Sequence, residues 1–196
     1  MNKNVERGQA TRAHLVDVAT RLFAAHGYDG TTIGAVLADA GVSRGSLYHH
    51  FPGKDALFWA VLAEVAARVG RQVADAERDA PDPVAALRAG CLAWIRLAAD
   101  PVVRQIALID APAVLGWQRW RELDEQNSLG LIRAALTYAA EAGSIDRRHV
   151  DAFAHIVLAA VNEVTLMIAG ASDSAPALSA GESAVAEFLD RLLRTG

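Results

Sequence analysis

Between Ser43 and Lys54 the chain reads SRGSLYHHFPGK, a run of side chains suited to hydrogen bonding with a polar surface. Arg44 carries a planar fork of donors that fits a guanine edge, Ser46 both donates and accepts, and Tyr48 and His49 can hold phosphate oxygens. Lys54 adds a long-reaching point charge, the chemistry of a phosphate clamp. Gly45 stands among them with no side chain, at a cost of about 1 kcal/mol of helix stability relative to Ala. A bare position lets the backbone approach another surface closely. On a helical wheel Leu47 points to the side of Val42 and Phe51, while Gly45 and His49 fall opposite, flanked by Tyr48, Ser46 and Arg44. This outer face has hydrogen-bonding groups and no aliphatic residue, as a helix lying in a DNA major groove requires.

The elements that position this run are helical throughout. Leu15, Val18, Ala19, Leu22 and Phe23 follow helical spacing and Gly27 stops them, which predicts a first helix over 9–26. Thr31 or Thr32 caps a second short helix that Gly41 ends, and Ser43 caps a third that Pro52-Gly53 breaks. A long helix then runs to DAPDP at 79–83, the clearest composition break. Further helices are expected near 84–99, 102–110, 117–142, 147–169 and 182–194, with GASDSAPALSAG at 170–181 as punctuation. The fold class is all-α: an N-terminal three-helix head holding a helix-turn-helix, joined to a larger helical ligand-binding and dimerisation domain. The expected division is 1–55 and 56–196.

Charge follows the same division. Residues 1–55 hold six Lys and Arg against five Asp and Glu, and the remainder 13 against 18, within a net charge of −4. A near-neutral head with four histidines and an acidic remainder point to different partners. The N-terminus lacks the apolar core of a signal peptide and no run of 18 uninterrupted apolar residues occurs, so a cytoplasmic protein without membrane association is expected. Cys91 is the single cysteine, which excludes an intrachain disulfide and a cysteine-based metal cluster. No phosphate-binding glycine loop and no His-x-x-x-His pair occurs, and neither a cofactor nor a metal is expected.

The run GYDGTTIGAVLADAGVSRGSLYHHFPGKDALFWAVL, 27–62, resembles the head of the TetR (tetracycline-repressor-like) family of bacterial regulators. The matching elements are Gly27-Tyr28, Thr31-Thr32, Ala40-Gly41-Val42-Ser43, Gly45, Leu47-Tyr48, His50-Phe51, Lys54 and Leu57. The resemblance implies a homodimeric repressor whose heads read the half-sites of a palindromic operator in double-stranded DNA, and whose helical remainder binds an inducer. It also implies DNA contacts at Thr32, Arg44, Gly45, Ser46, Tyr48, His49 and Lys54. Two departures stand out: Leu37 occupies a place where the family usually has a small residue, and Ala38 and Asp39 stand where basic residues are frequent. Lys3, Arg7 and Arg12 near the N-terminus can make up part of that anchoring.

The second half is read from its physics. FAHIVLAAVNEVTLMIAGA, from Phe153, is apolar nearly all round and needs cover on more than one face. AVAEFLDRLLR adds a stripe of Val185, Phe188, Leu189, Leu192 and Leu193. Together, 153–169 and 182–194 predict the interface of a homodimer. Asn162 and Glu163 place polar groups in the first of these helices, and a buried carboxylate needs a partner. Trp94, Trp117 and Trp120, with Asp110 and His155, complete the candidates for a small-molecule pocket, because aromatic walls with few polar groups suit a lipophilic or aromatic inducer. Two alternatives remain: a DNA-binding dimer without an inducer, and a small all-helical enzyme using Cys91, His155 and Asp110 as nucleophile, base and orienting acid. No local motif supports the second.

Overall fold

The computed structural model describes residues 3–193, and every element among them is helical. Arg194, the expected end of the last helix, lies outside the described residues. Helix α1 (Lys3–Gly30) starts six residues earlier than the apolar periodicity suggested, so Lys3, Arg7 and Arg12 lie along a helix. Its inner face buries Leu15, Val18, Ala19 and Phe23 completely. At Gly27 the backbone turns to φ 71 and ψ 173, a region open essentially to glycine alone, and this breaks the helix.

Helices α2 (Ile33–Ala40) and α3 (Arg44–His50) both pack on α1. Of the two threonines, Thr32 is the cap: its hydroxyl accepts from the Ala35 amide at 3.1 Å. Thr31 is buried and its hydroxyl donates to the carbonyl oxygens of Leu22 and Gly27, tying the kink to the turn that follows. Gly41 ends α2 in the left-handed region, and Ser43 caps α3 by accepting from the Ser46 amide at 3.2 Å. Helix α4 (Lys54–Glu77) buries Leu57, Phe58, Val61 and Val65 on one side.

Helix α5 (Pro83–Leu97) opens on an Asp82 cap with proline at its first position. Residues Val103–Asp110 form a π-helical run that continues into α6 (Ala111–Leu115). Then come α7 (Trp117–Glu141), a short 3₁₀ turn at 147–149, α8 (Val150–Gly170) and α9 (Ser174–Leu192). Helix α9 begins inside the segment expected to be punctuation. Asp173 caps it and Pro176 falls in the first turn, where a missing N–H costs little. Gly181, read as a breaker, lies within α9 at a close helix contact. A Cβ there would stand 2.8 Å from Val164 Cγ1 and 2.9 Å from Ile168 Cδ1.

The chain divides into two compact units: residues 1–67 with 101–114, and 68–100 with 115–196. The first surrounds an aromatic cluster in which Phe23 stacks on Tyr28 and both meet Phe58 edge-on. In the second, α5, α7, α8 and α9 form a helical bundle around Ile95, Leu136, Val157, Ile168 and Leu189.

Candidate nucleic-acid interface and ligand site

The first unit places α3 as the helical wheel required. Leu47 is fully buried and Phe51 nearly so, while Arg44, Gly45, Tyr48 and His49 are exposed and Ser46 is half-buried. A Cβ on Gly45 would meet nothing within 4 Å. No packing demand of this chain therefore explains the glycine, which leaves the bare backbone facing outward. Arg44 stands at the first position of α3, where free backbone N–H groups and the positive helix end favour anions.

Lys54, at the start of α4, is half-buried with its ammonium 4.0 Å from the centre of the Tyr28 ring. The Tyr28 hydroxyl donates to Asp55. Burial, then this bond and the Asp55 charge, push the phenol up to about 12. The pair fixes where Lys54 emerges. Thr32 is exposed at the N-cap of α2, with its hydroxyl oxygen engaged by the Ala35 amide. Asp39, an acidic residue where the family frequently has a basic one, is held by Arg21 at 3.2 Å. Arg12 lies 5.1 Å from the centre of the Phe51 ring, beside the end of α3.

The seven ligand candidates do not form one group. Asp110 belongs to the first unit, where it is buried and its carboxylate accepts from the Tyr28 amide at 2.8 Å and from Gln105 Nε2 at 3.0 Å. It closes the backbone just after the Gly27 kink, a structural role that sequence spacing does not reveal because its partner lies 82 residues away. Burial raises its carboxyl above the ordinary range, and the two hydrogen bonds oppose that shift.

In the second unit Trp94 and Asn162 do come together: the indole N–H donates to Asn162 Oδ1 at 3.1 Å. The Asn162 amide in turn donates to Asp124 Oδ2, and the Ser128 hydroxyl donates to Asp124 Oδ1 at 3.4 Å. Asp124 was missed by the sequence reading. Its signal was available, as it follows Trp120 by four residues and so shares its helical face. Burial pushes its carboxyl up, with the bonds from Asn162 and Ser128 acting the other way. Trp120 is buried and stacks at 5.0 Å on Trp117, which is 53% exposed.

Glu163 and His155 stand apart from this group, exposed on α8. Successive residues of a helix do not share a face, so Asn162 turns inward while Glu163 is exposed and needs no buried partner. The pairing of Cys91 with His155 and Asp110 as a catalytic set finds no support either. Cys91 is buried, and burial followed by the nearby Glu77 charge pushes its thiol up to about 12, away from the reactive thiolate.

A supporting helix, a capped second helix and a third presenting an exposed polar face around a bare glycine define a helix-turn-helix protein of the all-helical class. Residues 15–61 match the model of the bacterial regulatory proteins, tetR family, and residues 84–192 match the tetracyclin repressor-like C-terminal domain. The chain belongs to the TetR family of transcriptional regulators. Among its relatives, the HTH-type transcriptional regulator AcrR of Shigella flexneri is 36% identical over 87 residues, 44% of this chain and 40% of that protein. The HTH-type transcriptional repressor AcnR of Corynebacterium diphtheriae is 42% identical over 64 residues, 33% of this chain and 34% of that protein. These matches span less than half of either relative. A crystal structure of a TetR-family transcriptional regulator from Pectobacterium atrosepticum superposes with a TM-score of 0.81 at 26% identity, covering 100% of this chain and 99% of the other. A TetR regulator from Chloroflexus aurantiacus has the same fold, with a TM-score of 0.77 at 23% identity over 97% of this chain and all of its own.

Proposed function

We propose that the protein is a homodimeric repressor that binds a palindromic operator through α3 and releases it when a small lipophilic or aromatic inducer binds in the second unit. The observation that carries the DNA-binding part is the outer face of α3, where Gly45 has no packing role and hydrogen-bonding side chains surround it. On this reading Arg44 reads a base edge, Ser46, Tyr48 and His49 contact bases or phosphates, and Thr32 and Lys54 anchor the backbone on either side. Residues 1–55 act as the DNA-binding head and 56–196 as the regulatory and dimerisation domain. The protein works by binding in the cytoplasm and performs no catalysis.

Dimerisation is assigned to α8 and α9. The α8 segment is apolar enough by length and hydropathy to cross a membrane, yet only 39% of its most apolar window is buried. Ile156 is 49% and Met167 65% exposed on its outer side. A second copy covering that side accounts for the apolar surface without a membrane.

The inducer site is assigned to Trp94, Asn162 and the neighbouring Trp120 and Trp117. Helix α4 is continuous from the head and residues 103–110 return to it, which provides two routes for coupling. A hundredfold loss of operator affinity requires the inducer to prefer the released state by about 2.7 kcal/mol. Mobility shifts on DNA selected from a random pool test the reading. Arg44→Ala should weaken the best site by about 1–3 kcal/mol. Lys54→Ala should weaken all sequences alike and lower the salt slope by about one. Unchanged affinity in both variants would remove α3 from the interface.

A further inference from the structure

We propose that His14 and Arg21 of α1 are positioning residues for operator recognition: they hold the end of α2, and through the turn 41–43 they set the direction in which α3 presents its outer face. This rests on the reading of α3 above. Neither residue belongs to the set assigned to DNA contact. They stand two turns apart on α1 and so share a face. His14 Nε2 lies 3.1 Å from the carbonyl oxygen of Ala40. A carbonyl only accepts, so this ring nitrogen carries a proton and donates. The Ala40 carbonyl is among those that a helix end leaves without an internal partner, and the bond satisfies it. One residue earlier, Asp39 Oδ2 meets Arg21 Nη2 at 3.2 Å, while Arg21 Nε lies 3.9 Å from Asp17, one turn back on α1. Consecutive residues of α2, one by its side chain and one by its backbone, are thus tied to the same face of α1.

These ties matter because little else orients the two short helices. Among the described residues α2 buries Val36 alone and α3 buries Leu47 alone. A single buried side chain fixes a helix at one point and leaves its tilt about that point open. The start of α2 is held by the Thr32 cap, and the end of α3 by buried Phe51 under the Arg12 guanidinium. The other two ends meet in the turn 41–43, where Gly41 is left-handed and Ser43 caps α3. His14 and Arg21 close the α2 side of that turn. Arg44 and Gly45 follow it directly, so an error of angle there displaces the residues that must come closest to the DNA.

The test measures, for the full chain, affinity for an operator selected from random DNA and for unselected DNA, with helicity and urea stability on the same samples. His14 and Asp39 are exposed, so substitutions at them leave the core intact. Charge alone predicts that Asp39→Asn, which deletes an anion from the head, binds all DNA more tightly. Positioning predicts a loss instead: the ratio of selected to unselected affinity should fall about threefold per head, or about tenfold for a protein bound through two. His14→Asn, whose amide is too short to reach Ala40, should lose discrimination to a similar degree. His14→Gln, whose amide nitrogen takes the place of Nε2, should restore it. Affinity for unselected DNA and its salt slope should keep their wild-type values in both His14 variants. Folded Asp39→Asn and His14→Asn proteins that keep the wild-type ratio overturn the proposal, as does equal discrimination by His14→Asn and His14→Gln. Arg44→Ala, run beside them, separates this inference from the reading it rests on. If that variant too keeps the wild-type ratio, or the wild type selects no site, the assignment of α3 falls; if it alone loses discrimination, only the positioning role falls.

Discussion

Two glycines with opposite physical reasons show how a single residue carries information in this chain. Gly27 is required by the fold: its φ of 71 is unfavourable for any side chain, and a Cβ would lie 3.2 Å from Gln105 Nε2. Gly45 is helical and its Cβ would meet open space. Gly27→Ala should therefore lower stability by about 1–3 kcal/mol. Gly45→Ala should raise it by about 0.5–1 kcal/mol and at the same time weaken operator binding. Urea denaturation together with mobility shifts checks both. A Gly45→Ala protein that is stabilised and keeps full operator affinity would show that the bare backbone is not used for close approach. Gly45 was legible from the sequence because its face could be drawn on a wheel. The need for Gly27 beyond a simple helix stop was not, because Gln105 and Asp110 reach it from a distant segment.

Helix ends and helix contacts separate what was legible from what was not. The caps of α2 and α3 and the buried stripe of α1 followed from local chemistry, since their partners lie three or four residues away. The start of α9 and the place of Gly181 did not, because Asp173 and close packing on α8 override the breaker signals of proline and glycine. Asp124 was half legible: its place one turn after Trp120 is local, but its partner Asn162 lies 38 residues further along. Tyr28 joins the end of α1 to the start of α4 through Asp55 and Lys54, and its titration tests that joint. Its phenol is raised from 10.0 to about 12, and the Cys91 thiol from 9.0 to about 12. Each group holds its proton more tightly in the folded chain. The stability it contributes is complete below the unfolded value and lost as pH rises through the folded one. Unfolding free energy should thus fall between pH 9 and about 12, a window with little lysine titration because Lys3 and Lys54 are the only lysines. Tyr28→Phe with Cys91→Ala should flatten the decline. A slope unchanged by both substitutions would remove these two groups as its source.

At the scale of the whole molecule, the proposed dimer makes the sharpest demand on α8. Its inner side, with Ala154, Val157, Val161 and Ile168, is buried by the other helices of its own unit. Ile156, Ala159 and Met167 are exposed, although their chemistry is that of a core. Phe188 and Leu192, in the apolar stripe of α9, are half-buried in the single chain. A charge placed there confuses loss of association with loss of folding. Ile156→Glu with Met167→Glu avoids this, because both side chains are already largely in contact with solvent and a carboxylate at either place costs the isolated chain little. Buried against a second copy, the same two carboxylates would be desolvated without partners and would repel their equivalents across the symmetry axis. The double variant should therefore sediment as a folded monomer at concentrations where the wild type is a dimer, with unaltered helicity. Operator affinity should collapse with it, since one head retains only its own half-site and loses the effective concentration supplied by its twin. A double variant that still sediments as the wild type does would place the interface elsewhere, and a wild-type chain that is monomeric at micromolar concentration would remove the dimer altogether.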